Sequence, residues 1–206
     1  MSDPKISRRG PGRPRGFDDA TVLGAAMRLF WREGYSGASM PQISAATGLS
    51  TSSLYNAYGS KLDLLVAALD HYSDTVLDSF MLGPLARGGD GLADVDAFLD
   101  RLAATIDATH PRGCLTVNTI AEFRDPPPPV AVRTARYRSQ LRQALRAALS
   151  RARHLGEIPA DAVDQRADAL VPIVVAFNLL VAAHAPASET RDLLTVARTL
   201  THRGLR

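Results

Sequence analysis

The chain has 206 residues, 46% of them hydrophobic and 22% charged, at a net charge of +3; that is apolar enough for a packed core, which excludes a disordered chain, and too near neutral for the overall charge to argue for nucleic acid. The charge is unevenly placed, however: residues 1–62 hold eight basic and four acidic side chains against 16 and 17 in the remainder, so the N-terminal part is the one suited to meet a polyanion. The single cysteine, Cys114, excludes an intrachain disulfide and fits a reducing cytoplasm, and the polar, Pro/Gly-rich start has no apolar leader.

Nearly every segment reads as helix, which predicts an all-α fold: a basic arm over 1–16, a three-helix helix-turn-helix domain over 17–62, and a larger helical domain over 63–206. The arm, "RRGPGRPRGFDD", places Arg8, Arg9, Arg13 and Arg15 among Gly and Pro. Because the chain carries 22 Arg and two Lys, a single Arg says little about phosphate chemistry; the cluster says more. The first helix is predicted to start after Phe17 on an Asp18 N-cap and to stop at Gly34. "SMPQ" gives a capping box from Ser39 to Gln42 with Pro41 in the first turn. A short helix over 40–47, a turn at Gly48 and a second short helix over 51–57 then form a helix-turn-helix, with Ile43, Ala46, Leu49 and Leu54 as its shared core. Ser60 caps a longer helix from Lys61 to about Phe80.

"GPLARGGDG" reads as a loop. Val95, Phe98, Leu99, Leu102 and Ile106 make an apolar stripe at helical spacing. "HPRG" ends it, and "CLTVNTIAEF" forms a short helix. Asp125–Pro129 reads as a stiff elbow. A helix from about Val130 to His154 holds seven arginines from Arg133 to Arg153, a pattern more often a solvated face paired with acids than a second polyanion surface. Two helices close the chain, near 161–184 and 189–201. The apolar run Ala169–Ala185 contains Pro172, Asn178 and His184 and falls short of a clean membrane span, which predicts a buried helix and no membrane partner.

The second short helix offers Thr51, Ser52, Ser53, Tyr55, Asn56 and Tyr58: small donors and acceptors plus two phenols, the chemistry that meets phosphates, thymine methyls and adenine edges. Its free N–H groups at Ser50–Ser53 add an anion site. The stretch "LFWREGYSGASMPQISAATGLSTSSLYNAYGSKLDLL" resembles the DNA-binding domain of the TetR family of bacterial transcriptional regulators. The likeness lies in "LF…GY", in "S-x-x-x-I-x-x-x-x-G" and in "LY-x-x-(aromatic)-x-x-K-x-x-L", and it covers roughly residues 17–65; "RGCLTVN…E" is more weakly similar to one broad group of the family. The resemblance implies that Ser39 touches a phosphate, that Thr51, Ser52 and Ser53 enter the major groove, that Tyr55 contacts the backbone and that Lys61 pairs with a phosphate. Ala57 departs from it, standing where many members carry His or another polar residue. The "GRP" of the arm resembles an AT-hook, which would set Arg13 and Arg15 in an A/T-rich minor groove; a disordered tail adding only charge is the competing reading of the same residues.

The resemblance further implies a C-terminal domain that dimerises and binds a small, unidentified effector, the whole acting on a double-stranded operator as a cytoplasmic repressor. The last two helices are apolar enough to suggest the homodimer interface independently, through Leu170, Val174, Phe177, Val181, Leu193, Val196 and Leu200. Polar or aromatic residues on apolar stretches nominate an effector chamber: Tyr72, Phe80, Phe98, Cys114, Asn118, Glu122, Tyr137, Phe177 and Asn178, with His184 as a helix end. Cys114, near a helix N-terminus, invites a thiol-sensing role through a lowered pKa. An activator would carry the same motifs, and so would a ligand-binding helical protein whose helix-turn-helix is vestigial. No cofactor is expected, five scattered His lack metal spacing, and no nucleophile elbow, P-loop or zinc-protease motif suggests an enzyme.

Overall fold

The computed structural model describes residues 18–204 apart from His110; the basic arm with Arg8, Arg9, Arg13 and Arg15 lies outside the described residues. Asp18 accepts the N–H groups of Ala20 and Thr21 and starts α1 (Asp19–Gly37). Ser39 and Gln42 form the expected capping box on α2 (Met40–Thr47), and Gly48, at φ 72°, ends it in the left-handed region. Ser50 accepts from the Ser53 N–H and opens α3 (Thr51–Tyr58). Neither short helix is stable alone; each is held by one fully buried residue, Ile43 or Leu54, worth about 1.5–3 kcal/mol of burial apiece. Ala46, expected beside them, is instead exposed: α2 turns its Ile43 side to the core and leaves Ala46 on the solvent side.

Ser60 caps α4 (Lys61–Tyr72), whose Leu64, Leu65, Ala68 and Leu69 are buried. The same rod then widens into a π-helical segment, Ser73–Met81, and resumes as α5 (Leu82–Arg87). The expected loop over "GPLAR" is therefore helical, with Pro84 inside the rod just after the π-helical segment. The apolar stripe of α6 (Leu92–Ile106) turns Val95, Phe98, Leu99 and Leu102 inward. Then come α7 (Leu115–Glu122), α8 (Pro128–His154), α9 (Ala162–Ala182) and α10 (Ala187–Arg203). The elbow expected to reach Pro129 ends at Pro127, since Pro128 and Pro129 fit the first turn of α8, where no N–H partner is needed. The arginine-rich α8 is largely a paired face: Arg133 meets Asp70 at 2.8 Å, Arg151 meets Asp94 at 2.9 Å, and Arg142 and Arg146 meet Asp168 and Asp164 of α9.

Two features of these helices matter below. Gly34, at φ 71°, interrupts the regular helix where a stop is expected, and one further turn follows across the kink to Gly37. And α9, long and apolar enough to cross a membrane, buries one face on α8 and α10 through Leu170, Val174, Phe177 and Val181.

Candidate DNA-contacting face and ligand cavity

The first three helices present one polar surface. On α3, Ser52, Tyr55 and Asn56 are exposed, Tyr55 at 45%, while Thr51 and Ser53 are half-buried. The Ser50 hydroxyl lies 2.9 Å from that of Ser52 and 2.8 Å from that of Ser53, so three hydroxyls and the free N–H groups of the first turn converge at one end of the helix. Ser39 is exposed at the start of α2, engaged in its box with Gln42. Lys61 sits at the start of α4, its Nζ 4.5 Å above the Tyr35 ring. Tyr58 is placed differently from its fellows: its hydroxyl donates to Asp19 Oδ1 at 3.0 Å and ties α3 to α1, so it braces the head.

A cavity of about 480 Å³ opens in the larger domain, within the range of small-molecule sites. It collects side chains from along the chain: Trp31 of α1, Tyr72 of α4, Val76, Leu77, Phe80 and Met81 of the π-helical segment, Phe98 and Arg101 of α6, Cys114 just before α7, Tyr137 and Leu141 of α8, and Val174 and Asn178 of α9. Six of the nine expected chamber residues, Tyr72, Phe80, Phe98, Cys114, Tyr137 and Asn178, line it. Phe80 is 63% exposed, an apolar ring at the cavity's edge. Asn178 donates its amide to the Val174 carbonyl at 2.8 Å, answering most of the cost of burying it.

Three expected chamber residues are elsewhere. Phe177 does not line the cavity and is fully buried core. Asn118 donates to the Arg112 carbonyl at 2.8 Å and shapes the turn into α7. Glu122 reaches across to α1: its carboxylate accepts the N–H of Tyr35 at 2.8 Å and of Ser36 at 2.7 Å. The kink at Gly34 frees those two donors, and a carboxylate 87 residues away satisfies them. Trp31 is a site residue that sequence reasoning misses, because it reads as one more apolar residue of α1. Yet it lines the cavity, donates its indole N–H to the Arg112 carbonyl at 3.3 Å and meets Tyr72 edge-on at 5.1 Å. Its sole signal is that α1 carries an aromatic beyond the set its own core requires.

Cys114 corrects the expectation of a lowered pKa. The start of α7 does help its thiolate, through the N–H groups of Thr116 and Val117, and Tyr72 and Tyr137 hydrogen-bond to the sulfur; but burial outweighs them all and pushes the thiol up. The same burial, with the neighbouring thiol, raises both phenols well above their ordinary value. These groups stay neutral at physiological pH. In the native protein, alkylation of Cys114 by iodoacetamide at pH 7.5 is expected to run at least roughly tenfold slower than in urea; equal rates in the two conditions would show an exposed or activated thiol.

The expected dimer interface is also corrected. Leu170, Val174, Phe177, Val181 and Leu200 are 7% exposed or less within the single chain and fill its own core, so they have almost no area left to give a partner. Of the expected set, only Val196, at 53% exposed, and the half-buried Leu193 face outward. Apolar periodicity marks both faces of α9 and cannot say which one the protomer itself uses.

Comparison with known proteins agrees with this architecture. Residues 22–68 match the family model of bacterial regulatory proteins of the tetR family, and residues 91–197 match the tetracyclin repressor-like C-terminal domain. The chain is 31% identical over 153 residues to the HTH-type transcriptional regulator YezE of Bacillus subtilis, covering 74% of this chain and 79% of that one. It is 39% identical over 67 residues to the Escherichia coli repressor ComR, 32% of each chain. Among solved structures, the TetR family regulator CifR, a double cysteine mutant complexed with a 26-base-pair operator DNA, superposes with a TM-score of 0.75 at 28% identity, over 90% of this chain and 98% of that one. A helix-turn-helix head on a helical body, the matched models along both, and a relative shared over most of its length together place this chain in the TetR family of bacterial transcriptional regulators.

Proposed function

We propose that the chain is a homodimeric repressor of the cytoplasm that binds a palindromic operator through residues 17–62 and is released from it by a small molecule held in residues 63–206. The operator complex of CifR and the repressor ComR support the DNA side. On α3, Ser52, Tyr55 and Asn56 read the major groove with Thr51 and Ser53 at its N-terminal end, while Ser39, Ser50 and Lys61 hold phosphates. The arm brings Arg8, Arg9, Arg13 and Arg15 to an adjacent minor groove. The partner protomer covers the outward apolar face of α9 and α10, formed by Val171, Val175, Leu179 and Val196.

The observation that carries the release mechanism is the position of Trp31. It belongs to the first helix of the reading head and is also a wall of the cavity. A ligand there presses on Trp31, on Tyr72 at the end of α4, and on the π-helical segment that continues α4. π-Helical turns are rare and recur at functional sites, and this segment is where a ligand shifts α4 and alters the spacing of the two heads. Glu122, clamped on Tyr35 and Ser36, makes α7 move with the end of α1.

Fluorescence anisotropy with labelled DNA from beside the protein's own gene tests this reading. Specific binding is expected to exceed binding to random DNA by roughly 10³-fold or more and to weaken steeply with salt. Equal affinity for both DNAs would reject a regulator of a defined operator.

A further inference from the structure

We propose that the cavity takes a hydrophobic monocarboxylate, an aryl or aliphatic acid, with its carboxylate seated on Arg101. The proposal rests on the effector role given to this cavity above and names the chemistry of its ligand. The walls are overwhelmingly apolar and aromatic, and no Asp or Glu occurs among the described lining residues, whereas two arginines, Arg101 and Arg112, do. The site is thus greasy and positive, an arrangement that suits an amphiphilic anion and repels a cation.

Arg101 is the sharper observation. Its Nε is buried and has no hydrogen-bond partner among the described residues. Elsewhere in this domain the arginines that rest on the protein have acceptors: Arg133 has Asp70, Arg151 has Asp94 and the carbonyls of Leu85 and Ala86, and Arg198 has Asp96 and Asp100. Arg166 also leaves its Nε unpartnered, but it donates to the Thr201 carbonyl and lies outside the cavity. A desolvated guanidinium N–H without an acceptor is costly, and a carboxylate accepting from one edge of the guanidinium answers that cost with a charge-assisted bond. Several of the cavity's other polar groups are already occupied. Tyr72 and Tyr137 each bond to Cys114, Thr105 donates its hydroxyl to the Leu102 carbonyl, and the Asn178 amide is given to Val174. Arg101 follows Phe98 by one helical turn on α6, so an aromatic or alkyl body lies against Phe98 and Leu102 while its acid group meets the guanidinium.

The chain's only tryptophan, Trp31, lines the cavity, so its fluorescence reports occupancy. The probes are three isosteric molecules, 4-phenylbutyrate, 4-phenylbutanol and 4-phenylbutylamine, titrated into the full chain at pH 7.5. The acid is expected to bind roughly tenfold tighter than the alcohol, or better, with the amine weakest. Arg101→Gln should bring the acid down to the alcohol's affinity and leave the alcohol's unchanged; Arg101→Lys, which keeps the charge, should retain part of the preference. Equal binding of acid and alcohol to the wild-type chain would overturn the anion assignment and leave the cavity's effector role standing. A preference that survives in Arg101→Gln would remove Arg101 as its anchor. Binding of the acid with no change in operator affinity would uphold the anion site and overturn the release mechanism, and no response to any of the three would overturn both.

Discussion

Replacing Asn56 of α3 by Ala is expected to cost roughly 30-fold to 10⁴-fold in operator affinity while leaving the melting temperature within a few degrees of wild type. One good side-chain contact to a base edge is worth about 1–3 kcal/mol, and in a two-fold complex every substitution is made twice, so the loss doubles to about 2–6 kcal/mol. The fold should survive because Asn56 is exposed and α3 is held by Leu54, not by its outward face. Tyr55→Phe, which removes one hydroxyl from a ring that is 45% exposed, should do less. Lys61→Ala should weaken all DNA sequences alike and lower the salt dependence by about two counterions per dimer, the mark of a phosphate contact. Anisotropy titrations against operator and random DNA separate these outcomes. An Asn56→Ala protein that binds operator as the wild type does would remove α3 from the reading head.

The second large effect falls on Gly113→Ala. Gly113 adopts φ +62°, where a side chain costs about 1–2 kcal/mol. A Cβ there would also collide with the backbone carbonyl of Asn178, which α9 holds in place. Strain and collision together should exceed about 3 kcal/mol, or roughly 6–12 °C in melting temperature for a chain of this size. Gly48→Ala is the internal control. Gly48 has nearly the same φ, +72°, but nothing stands within 4 Å of the added atom, so only backbone strain of about 1–2 kcal/mol is expected. Scanning calorimetry on the two variants compares them directly, and equal losses would show that the approach of the 111–114 turn to α9 is not tight. Because Gly113 also lines the cavity, its variant should change Trp31 fluorescence, which Gly48→Ala should not.

Local signals in the sequence carry well. Asp18, Ser39 and Ser60 cap the helices they are expected to cap, since a cap is decided by the few residues around it. The exposed face of α3 is legible for the same reason, because a short amphipathic helix with one buried leucine leaves little choice. Prolines mislead where their position in a turn matters more than their presence: Pro128 and Pro129 sit in the first turn of α8, which tolerates them. What the sequence does not show is which of two apolar faces a helix gives to its own chain. Leu170 and Val174 are as plausible at an interface as Val171 and Val175, and only the packing of α9 on α8 and α10 decides. Long-range polar pairs are equally hidden. Glu122 looks like a chamber residue because its partners, two backbone N–H groups, come into being only when α1 kinks at Gly34. Cys114 shows competing effects: its place at the start of α7 is legible, and burial, which depends on the whole fold, reverses the conclusion drawn from it.

DNase I footprinting of the region flanking the protein's own gene tests the account most directly. It predicts one protected site with two-fold symmetry, its halves centred about 34–36 Å apart or somewhat more, lost in Asn56→Ala. No protection at micromolar protein, or protection without two-fold symmetry, would contradict it.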